Sequence, residues 1–300
     1  MSGSGSTHVV PVAPPYRLDL TVAVLRRFST NIVDVVAPDG TYLRAHAAPL
    51  GQRIVTVRQI SETALSVGIE SDEDPQRALA LVRRTLGVER VAPHFTRAAA
   101  DIPWLAGVAA RMSGVRPPRY ASLWEACVNA IVFQQVSLHA ATAILGRVIA
   151  SLEMPLASTG VVVRAFPSPL TFLDAADQTL RLAGLSATKV ATLRRVATAL
   201  EDATLDEAAL EARSSIDAAA RLCELKGIGP WTAAVILLRG LGRLDVFPEN
   251  DSGVARSLAA LTGTTVDVPA TLALLAPEQG MLYYHLLLAR LEARGEIARI

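Results

Sequence analysis

The sequence predicts an α+β fold: a small N-terminal domain with an antiparallel sheet and helices, followed by a two-part all-α region. Two observations predict it. In the first third of the chain, short segments alternate apolar and polar residues, which is typical of half-buried strands. From about residue 101 onward, apolar residues recur at helical spacing instead. We therefore predict a flexible tail at residues 1–15, an α+β domain at 16–100 and the all-α region at 101–300.

Each element of the N-terminal domain has its own local signal. The opening Met1–Ser6 is rich in glycine and serine and predicts only a flexible segment. Residues 16–24 alternate apolar and polar side chains, which predicts a half-buried strand. Val33–Val36 and Thr41–Ala45 flank the turn sequence Pro38-Asp39-Gly40 and predict a hairpin. The remaining predicted elements are strands at Ile54–Val57 and Ala64–Ile69 and a helix from Pro75 to about Gly87.

Helical spacing dominates the rest of the chain. In Ser122–Val136, for example, Leu123, Cys127 and Ala130 fall on one face of a helix. The other predicted helices are Ala140–Leu152, Pro169–Ala176, Gln178–Ala183, Thr188–Glu201, Leu205–Ala212, Ser252–Leu261, Pro269–Leu275 and Gly280–Gly295.

The composition sets limits on the class of protein. Hydrophobic residues make up 51% of the 300 residues, but no apolar run reaches the roughly 18 residues that a membrane span needs. No signal peptide is apparent, so we expect a cytoplasmic protein without membrane contact. The net charge is only +1, so affinity for nucleic acid would come from local basic groups such as Arg194 and Arg195. Cys127 and Cys223 are too few to supply the thiolates of an iron–sulfur cluster.

The sequence Leu225–Ala233 predicts a tight turn between two helices. Gly227 and Gly229 permit backbone conformations that other residues resist. Pro230 suits the first position of a helix, because its missing N–H would have no partner there. Main-chain N–H groups at such a turn and at the start of the next helix can point outward together. This arrangement binds anions, phosphate in particular.

This turn and the loop from Arg239 to Asp251 resemble the helix-hairpin-helix motif of the base-excision DNA glycosylases, and Asp251 matches the family's catalytic acid. The resemblance covers nearly the whole chain and is strongest for the branch of bacterial 3-methyladenine DNA glycosylase II. That family has a small N-terminal sheet domain and two helical subdomains that face each other across a cleft. Further matching segments are Ser122–Ser137, Phe166–Pro169 and Gly184–Lys189.

The resemblance also implies a function. It implies a monofunctional glycosylase of base excision repair that flips a damaged base, an alkylated purine, out of DNA and hydrolyses its N-glycosidic bond. Asp251 is the implied catalytic residue. The implied base pocket contains Trp231, Gln134, Tyr283 and Tyr284. DNA contacts are implied for Gln135, Ser137, Lys226, Gly227, Ile228, Gly229 and Thr232.

The same resemblance sets the expected partners and cofactors. We expect damaged double-stranded DNA as the partner, no membrane, and a monomer associated with the bacterial nucleoid in the cytoplasm. No cofactor and no metal are expected in the chemistry. A monovalent cation at the carbonyl groups of residues 225–229 is left open.

Two alternatives to this function remain open. Bifunctional relatives carry a nucleophilic lysine on the second hairpin helix where this chain has Trp231, so the usual Schiff-base route to strand cleavage is not expected. A bifunctional glycosylase/lyase is nevertheless one alternative, and a non-catalytic lesion-binding protein is the other. Val235 and Ser252 stand where the family can carry aromatic residues, which predicts fewer stacking surfaces in the pocket.

The assignment of the catalytic acid also has rivals. Asp245 and Glu249 lie in the same loop as Asp251. Asp251 could itself cap the helix predicted at Ser252–Leu261. We favour Asp251 as the catalytic residue because its place in the resembling motif is specific.

Overall fold

The structure confirms an α+β fold with an N-terminal antiparallel sheet. It is a computed structural model and describes residues 5–48, 51–70, 74–158, 160–263 and 266–298. Five strands pair antiparallel in the order β1-β5-β4-β3-β2. They are β1 (Ser6–Pro11), β2 (Asp34–Val36), β3 (Tyr42–Ala48), β4 (Gly51–Ser61) and β5 (Ala64–Ile69). The helices of this part are α1 (Leu18–Arg26) and α2 (Pro75–Leu86).

Helices make up most of the remaining chain. They are α3 (Pro93–Ala100), α4 (Pro103–Arg111), α5 (Leu123–Val132), α6 (Leu138–Leu152), α7 (Pro169–Asp174), α8 (Asp177–Leu182), α9 (Ala187–Glu201), α10 (Glu207–Glu211), α11 (Ser215–Cys223), α12 (Pro230–Ile236), α13 (Ser252–Thr262), α14 (Val268–Leu275) and α15 (Gly280–Ala293). A π-helical turn, Leu237–Leu241, continues α12. Among the described residues, no helix combines the length and the hydrophobicity needed to span a bilayer.

Two local predictions in the N-terminal domain are confirmed. Strands β2 and β3 pair as the predicted hairpin, with Val36 opposite Tyr42. Helix α2 begins at Pro75, where the Asp74 side chain accepts a hydrogen bond from a main-chain N–H of the first turn. It ends at Gly87, whose φ of 57° is the left-handed conformation that glycine adopts at helix ends.

The predicted flexible tail at 1–15 is wrong where the structure describes it. Residues 6–11 form β1, which pairs along β5 with Thr7 opposite Gly68. Val10 and Val12 are buried in the core of the sheet. Burial of these two side chains and the ladder to β5 order a segment that its glycine- and serine-rich start does not suggest. The first residues, 1–4, lie outside the described part of the chain.

The predicted strand at 16–24 is also wrong, because this segment forms α1. Nearly every side chain of the helix is buried. Leu18, Val22 and Leu25 recur at helical spacing and pack into the core of the sheet. Leu20 and Val24 pack on the opposite side, against the C-terminal helices. A helix buried on two faces has no polar stripe, so its sequence could be mistaken for the alternation of a strand.

The region after residue 101 is not all-α, because it contains a short hairpin. Its strands are β6 (Leu156–Ser158) and β7 (Val161–Val163). Val163 packs with Leu43 and Ile54 of the N-terminal sheet in a small separate core. The hairpin therefore extends the contact between the sheet and the helical region, and its three consecutive valines suit strand geometry.

Two large hydrophobic cores divide the helical part. The first core contains side chains of α5, of α6, α7, α8 and α9, and of the hairpin helices α11 and α12. The second core joins α1, α3 and α4 to the C-terminal helices α13 to α15. Helix α1 thus lies between the sheet and the second core, and α12 continues through the π-helical turn toward that core.

A buried ionic cluster fixes the sheet against α5. Arg44 on β3 contacts the carboxylates of Asp34 (2.5 Å) and Glu125. Tyr42 donates a hydrogen bond to Asp34 at 2.8 Å. All these side chains are buried, so removing one partner would leave an uncompensated charge.

His285 on α15 is a buried neutral group and a source of acid sensitivity. It is 3% exposed, donates from Nδ1 to the Met281 carbonyl at 2.8 Å, and lies with its ring centroid 4.5 Å from that of Phe95. Burial lowers the pKa of His285 from 6.5 to about 4. Between these values the unfolded chain binds the proton and the folded chain does not, so stability falls as pH falls through this window.

We expect His285→Phe to reduce the loss of stability on acidification. The histidine alone should cost about 3 kcal/mol of unfolding free energy once the pH has fallen from 6.5 to 4. Phenylalanine cannot be protonated and keeps a ring against Phe95. Denaturant unfolding of both proteins across this pH range measures the difference, and parallel stability curves would contradict the assignment.

Candidate active site

The predicted hairpin is formed by α11, the turn at 224–229 and α12. Gly227 has φ of 104°, and a Cβ there would overlap the Thr192 side chain, so the fold requires glycine. Gly229 caps α12 with φ of −101°, and a Cβ there would meet nothing within 4 Å. The second glycine is therefore not required by packing, and its missing side chain leaves the main chain open to a ligand.

Two of the predicted DNA-contacting side chains face inward instead. Ile228 is buried in the first core and anchors the turn, so only its main chain can reach DNA. Thr232 is buried, and its hydroxyl accepts a hydrogen bond from Gln134 at 2.8 Å. Lys226 is exposed at the turn, as a side chain that meets phosphate must be. The inward residues satisfy the hairpin's own packing, which spacing along the sequence does not reveal.

The segment between α5 and α6 is tied to the hairpin. Gln134 donates from Nε2 to the Gly227 carbonyl at 3.0 Å as well as to Thr232. The Lys189 ammonium on α9 donates to the carbonyls of Val132 (2.8 Å) and Gln134 (2.9 Å). The two bonds from Lys189 satisfy carbonyls at the last residue of α5 and just beyond it, where helical partners are lacking. Gln134 is thus placed at the hairpin, where it lines the adjoining cleft.

Gln135 and Ser137 lie at the rim of the same cleft. Gln135 is exposed and has φ of 55°, an uncommon conformation for a residue other than glycine. Ser137 caps α6 by accepting a hydrogen bond from the Ala140 N–H at 3.2 Å. The serine is therefore occupied as a helix cap, whereas Gln135 and Val136 are exposed at the rim.

The two carboxylate oxygens of Asp251 make two different sets of hydrogen bonds. Its Oδ1 accepts hydrogen bonds from the N–H groups of Gly253 (2.7 Å) and Val254 (3.0 Å), so it caps α13. Its Oδ2 accepts from Trp231 Nε1 at 3.0 Å. Asp251 therefore caps α13, the role that the sequence analysis set against catalysis. The same carboxylate also lines the cleft. The two roles do not exclude each other.

The rival acids lie elsewhere. Asp245 and Glu249 are exposed on the loop, and neither lines the cleft. Among the described residues, Asp251 is the one carboxylate of the cleft wall. Position therefore separates Asp251 from its neighbours, which sequence alone could not do.

The cleft has a volume of about 1000 Å³ and opens between the two helical cores. Phe133, Trp231 and Val235 line it from the first core, and Tyr283 and Leu286 line it from the second. Half-buried aromatic rings next to an acid can hold a planar ligand by stacking while the acid meets its polar edge.

Tyr284 is not part of the pocket, and this prediction is wrong. The side chain is fully buried in the second core, and its hydroxyl donates to the Leu238 carbonyl at 3.1 Å. Neighbouring residues on a helix point in directions about 100° apart, and Tyr284 points into the second core. Tyr283 does line it. Burial raises the pKa of Tyr283, which keeps its hydroxyl neutral as a hydrogen-bond donor.

The cleft is also lined by arginines that the sequence analysis did not place there. They are Arg27, Arg256, Arg290 and Arg294. Arg27 follows α1, which was predicted as a strand, so nothing placed it near the hairpin. Arg290 and Arg294 lie one helical turn apart on α15 and its end, a spacing that could have indicated a shared face. The cleft wall is therefore basic although the whole chain is nearly neutral.

These features define the class of protein. A family model described as "HhH-GPD superfamily base excision DNA repair protein" matches residues 128–272, which include the segment after α5, the hairpin and Asp251. The chain belongs to the helix-hairpin-helix superfamily of base-excision DNA repair proteins.

Particular relatives place it near the 3-methyladenine glycosylase branch. It is 31% identical over 221 residues to a Mycobacterium tuberculosis protein named "Probable bifunctional transcriptional activator/DNA repair enzyme AlkA", an alignment that covers 72% of this chain and 43% of that one. It is 26% identical over 253 residues to "DNA-3-methyladenine glycosylase 2" of Escherichia coli, covering 83% and 86% of the two chains. The chain thus spans less than half of the mycobacterial relative.

A solved structure shares the fold. It is titled "3-methyladenine dna-glycosylase from Archaeoglobus fulgidus" and superposes with a TM-score of 0.76 at 23% identity, covering 94% of this chain and 98% of that chain. The superposition covers nearly the whole of both chains, so the likeness is one of overall fold.

We expect Gly229→Val to weaken DNA binding without unfolding the protein. The backbone at this position suits any residue and the space is open, so the loss should come from a blocked main-chain contact. Affinity for undamaged duplexes of different sequence should fall by a similar factor, because phosphate contacts carry no sequence information. Fluorescence anisotropy at several salt concentrations measures it.

Gly107→Val on α4 is the matched control, since it adds the same side chain at an exposed glycine outside the cleft. Equal affinities for Gly229→Val, Gly107→Val and wild type would mean that the turn does not meet DNA.

Proposed function

We propose that the protein is a monofunctional DNA glycosylase of base excision repair that removes damaged purines from double-stranded DNA. One observation carries the proposal: among the described residues Asp251 is the one carboxylate that lines the cleft, and it is hydrogen-bonded to Trp231 in the first turn of α12, directly after the hairpin turn. The acid, a stacking surface and a backbone-binding element thus share one cleft. The names of the relatives, which include 3-methyladenine glycosylases, support alkylated bases as substrates.

The hairpin would hold the DNA backbone. Main-chain N–H groups around Gly229 and the exposed Lys226 can meet one phosphate, which positions the duplex without reading its sequence. The target nucleotide leaves the stack and enters the cleft. Gln135 at the rim is placed to fill the gap that the base leaves.

Asp251 would then act at the sugar. Both lone-pair sites of Oδ1 are taken by the α13 N–H groups, but Oδ2 keeps one lone pair beyond the bond from Trp231. As the bond between C1′ and the base nitrogen breaks, positive charge develops on the sugar, and the carboxylate stabilises it. It also orients water for attack at C1′ and accepts its proton. The products are an abasic site and a free base.

The lysines of the chain support a monofunctional reaction. The sequence contains two, Lys189 and Lys226. Lys189 donates to two main-chain carbonyls behind the cleft, and burial lowers its pKa. Lys226 is exposed at the turn. Neither lines the cleft where a Schiff base with C1′ would form.

No cofactor is needed for this reaction, and we propose a monomer acting on chromosomal DNA. The hairpin carbonyls are partly engaged by the protein itself: Lys226 accepts from Arg195 at 3.1 Å, and Gly227 accepts from Gln134. The Arg195 guanidinium brings a positive charge to this side of the turn, which disfavours a monovalent cation there. No step of the proposed reaction depends on one.

We expect Asp251→Asn to abolish most base release while folding and DNA binding persist. Asparagine caps helices about as well as aspartate, so α13 should remain intact. The variant can neither offset charge at C1′ nor accept a proton, which should slow release by roughly 10²–10⁴. Single-turnover release from duplexes with modified purines measures it.

Asp245→Asn is the matched control, because it makes the same change at an exposed acid of the same loop. A rate near wild type for Asp251→Asn, with a large loss for Asp245→Asn, would move the catalytic role to the other acid. If neither variant differs from wild type, the glycosylase mechanism itself fails.

We expect the enzyme to leave the DNA strand intact at the abasic site. Borohydride added during the reaction should trap no covalent protein–DNA adduct, because no lysine lines the cleft. Denaturing electrophoresis detects both strand cleavage and an adduct. An adduct that persists in Lys189→Arg but disappears in Lys226→Arg would show a lyase that uses the turn lysine and would establish the bifunctional alternative.

A further inference from the structure

Three arginines form a group on the cleft wall that belongs to the second core. Arg290 lies on α15, Arg294 follows one helical turn later at the end of this helix, and Arg256 lies on α13. All three line the cleft. Arg294 lies over the Phe28 ring, but none of the three guanidiniums forms a hydrogen bond or an ion pair within the described part of the chain. Their N–H donors are therefore available to a ligand.

The positive charge of this group is not neutralised by the nearby acids of α15. Glu292 pairs with Arg111 at 3.2 Å, and Glu296 accepts a hydrogen bond from the Ser29 N–H at 3.0 Å. Both carboxylates are thus engaged elsewhere.

The three arginines also repel one another. Burial lowers the pKa of Arg290, and the charges of Arg294 and Arg256 lower it further, although Asp251 opposes them. An arginine nevertheless stays protonated at neutral pH. An anion bound among the three guanidiniums would relieve their mutual repulsion.

Arg290 lies beside the carboxylate of Asp251 without pairing with it. Arg290 Nη1 and Asp251 Oδ1 are each 2.9 Å from the point that a Cβ on Gly253 would occupy, so the two atoms lie within twice that distance of each other. Glycine at this position leaves the room that the guanidinium fills. The N–H groups of Gly253 and Val254 already bond to Oδ1. Arg290 is therefore the donor that an anion next to Asp251 would meet.

The anionic group of DNA, the partner in the proposed function, is the backbone phosphate. Guanidinium binds phosphate through paired hydrogen bonds. A phosphate and the C1′ of its nucleotide are joined through a single sugar. A phosphate held at Arg290 would therefore bring C1′ of the same nucleotide to Asp251. The hairpin turn, with Gly229, lines the cleft from the first core and would hold a different phosphate.

We propose that Arg290 binds a phosphate of the extruded nucleotide and so holds its C1′ at Asp251, while Arg256 and Arg294 attract the strand to this wall of the cleft. This rests on the proposed glycosylase function and gives it a second phosphate site. The contact at Arg290 forms only after the nucleotide has left the stack, whereas the contact at the hairpin forms with any duplex. Arg290 therefore raises the rate of base release more than the affinity for DNA.

The test removes the charge of one phosphate at a time. A panel of duplexes with single modified purines first identifies the base that the wild type releases fastest. In that duplex, an uncharged methylphosphonate then replaces the phosphate on the 5′ side or on the 3′ side of the modified nucleotide. Single-turnover release at saturating enzyme gives the rate, and fluorescence anisotropy with an undamaged duplex gives the affinity.

We expect the neutral linkage on one of the two sides to slow release by the wild type roughly 10- to 100-fold, because a charged hydrogen bond is lost. Arg290→Met should release base from the unmodified backbone more slowly by a similar factor. The same neutral linkage should slow this variant no further, because the two changes remove one interaction. Affinity for the undamaged duplex should stay close to that of the wild type. A purely structural role for Arg290 would not produce this dependence on one phosphate.

Arg111→Met is the matched control. Arg111 is also a half-buried arginine that contacts α15, through Glu292, but it does not line the cleft. This variant should release base at nearly the wild-type rate and should be slowed by the neutral linkage as much as the wild type. Arg290→Lys keeps the charge without the forked geometry and should recover part of the rate lost in Arg290→Met.

Equal slowing of the wild type and Arg290→Met by the neutral linkages on both sides would overturn the inference while leaving the glycosylase function intact. A wild-type rate that neither linkage lowers would also overturn it, and this result does not depend on whether any variant folds. Release of no base from any duplex of the panel by the folded wild type would overturn the function itself.

Discussion

The cleft depends on a buried joint that holds its two walls in register. Arg239, in the π-helical turn after α12, donates to the Val24 carbonyl at 2.7 Å and lies over the Tyr120 ring. The Tyr120 N–H donates in return to the Arg239 carbonyl at 2.8 Å. The hydroxyl of Tyr284 reaches the neighbouring Leu238 carbonyl. One short segment thereby links α1, the start of α5 and α15. Since each wall of the cleft belongs to a different core, this joint sets the distance between them.

On the wall formed by the first core, hydrogen bonds help to position the loop between α5 and α6. Lys189 and Gln134 connect the end of α5 to α9 and to the hairpin through four hydrogen bonds. Gln135, the next residue, takes a left-handed backbone conformation with φ of 55°. In the proposed function this loop would enter the distorted duplex with its backbone already ordered, which lowers the entropic cost of binding.

The sequence predicted the parts of the site that depend on local backbone chemistry. The turn around Gly227 needs glycine for a reason visible in the motif itself, and Asp251 follows at a spacing that the resemblance specifies. The parts that depend on packing between distant segments could not be predicted. Arg27 reaches the cleft only because α1 is a helix buried on both faces. Tyr284 is directed away from the cleft by its burial in the second core, which the sequence does not reveal.

In the proposed reaction, the hydrogen bonds to both oxygens of Asp251 would lower part of the activation barrier. Water around a free carboxylate must reorient as positive charge develops nearby, and this reorganisation forms part of an activation barrier. Here helix N–H groups fix one oxygen and an indole fixes the other before any substrate is present. The dipoles around the charge therefore already point as the transition state requires. A base that stacked on Trp231 would contact the indole that donates to Asp251. Occupancy of the pocket would therefore influence the electrostatic field that the carboxylate exerts on the sugar.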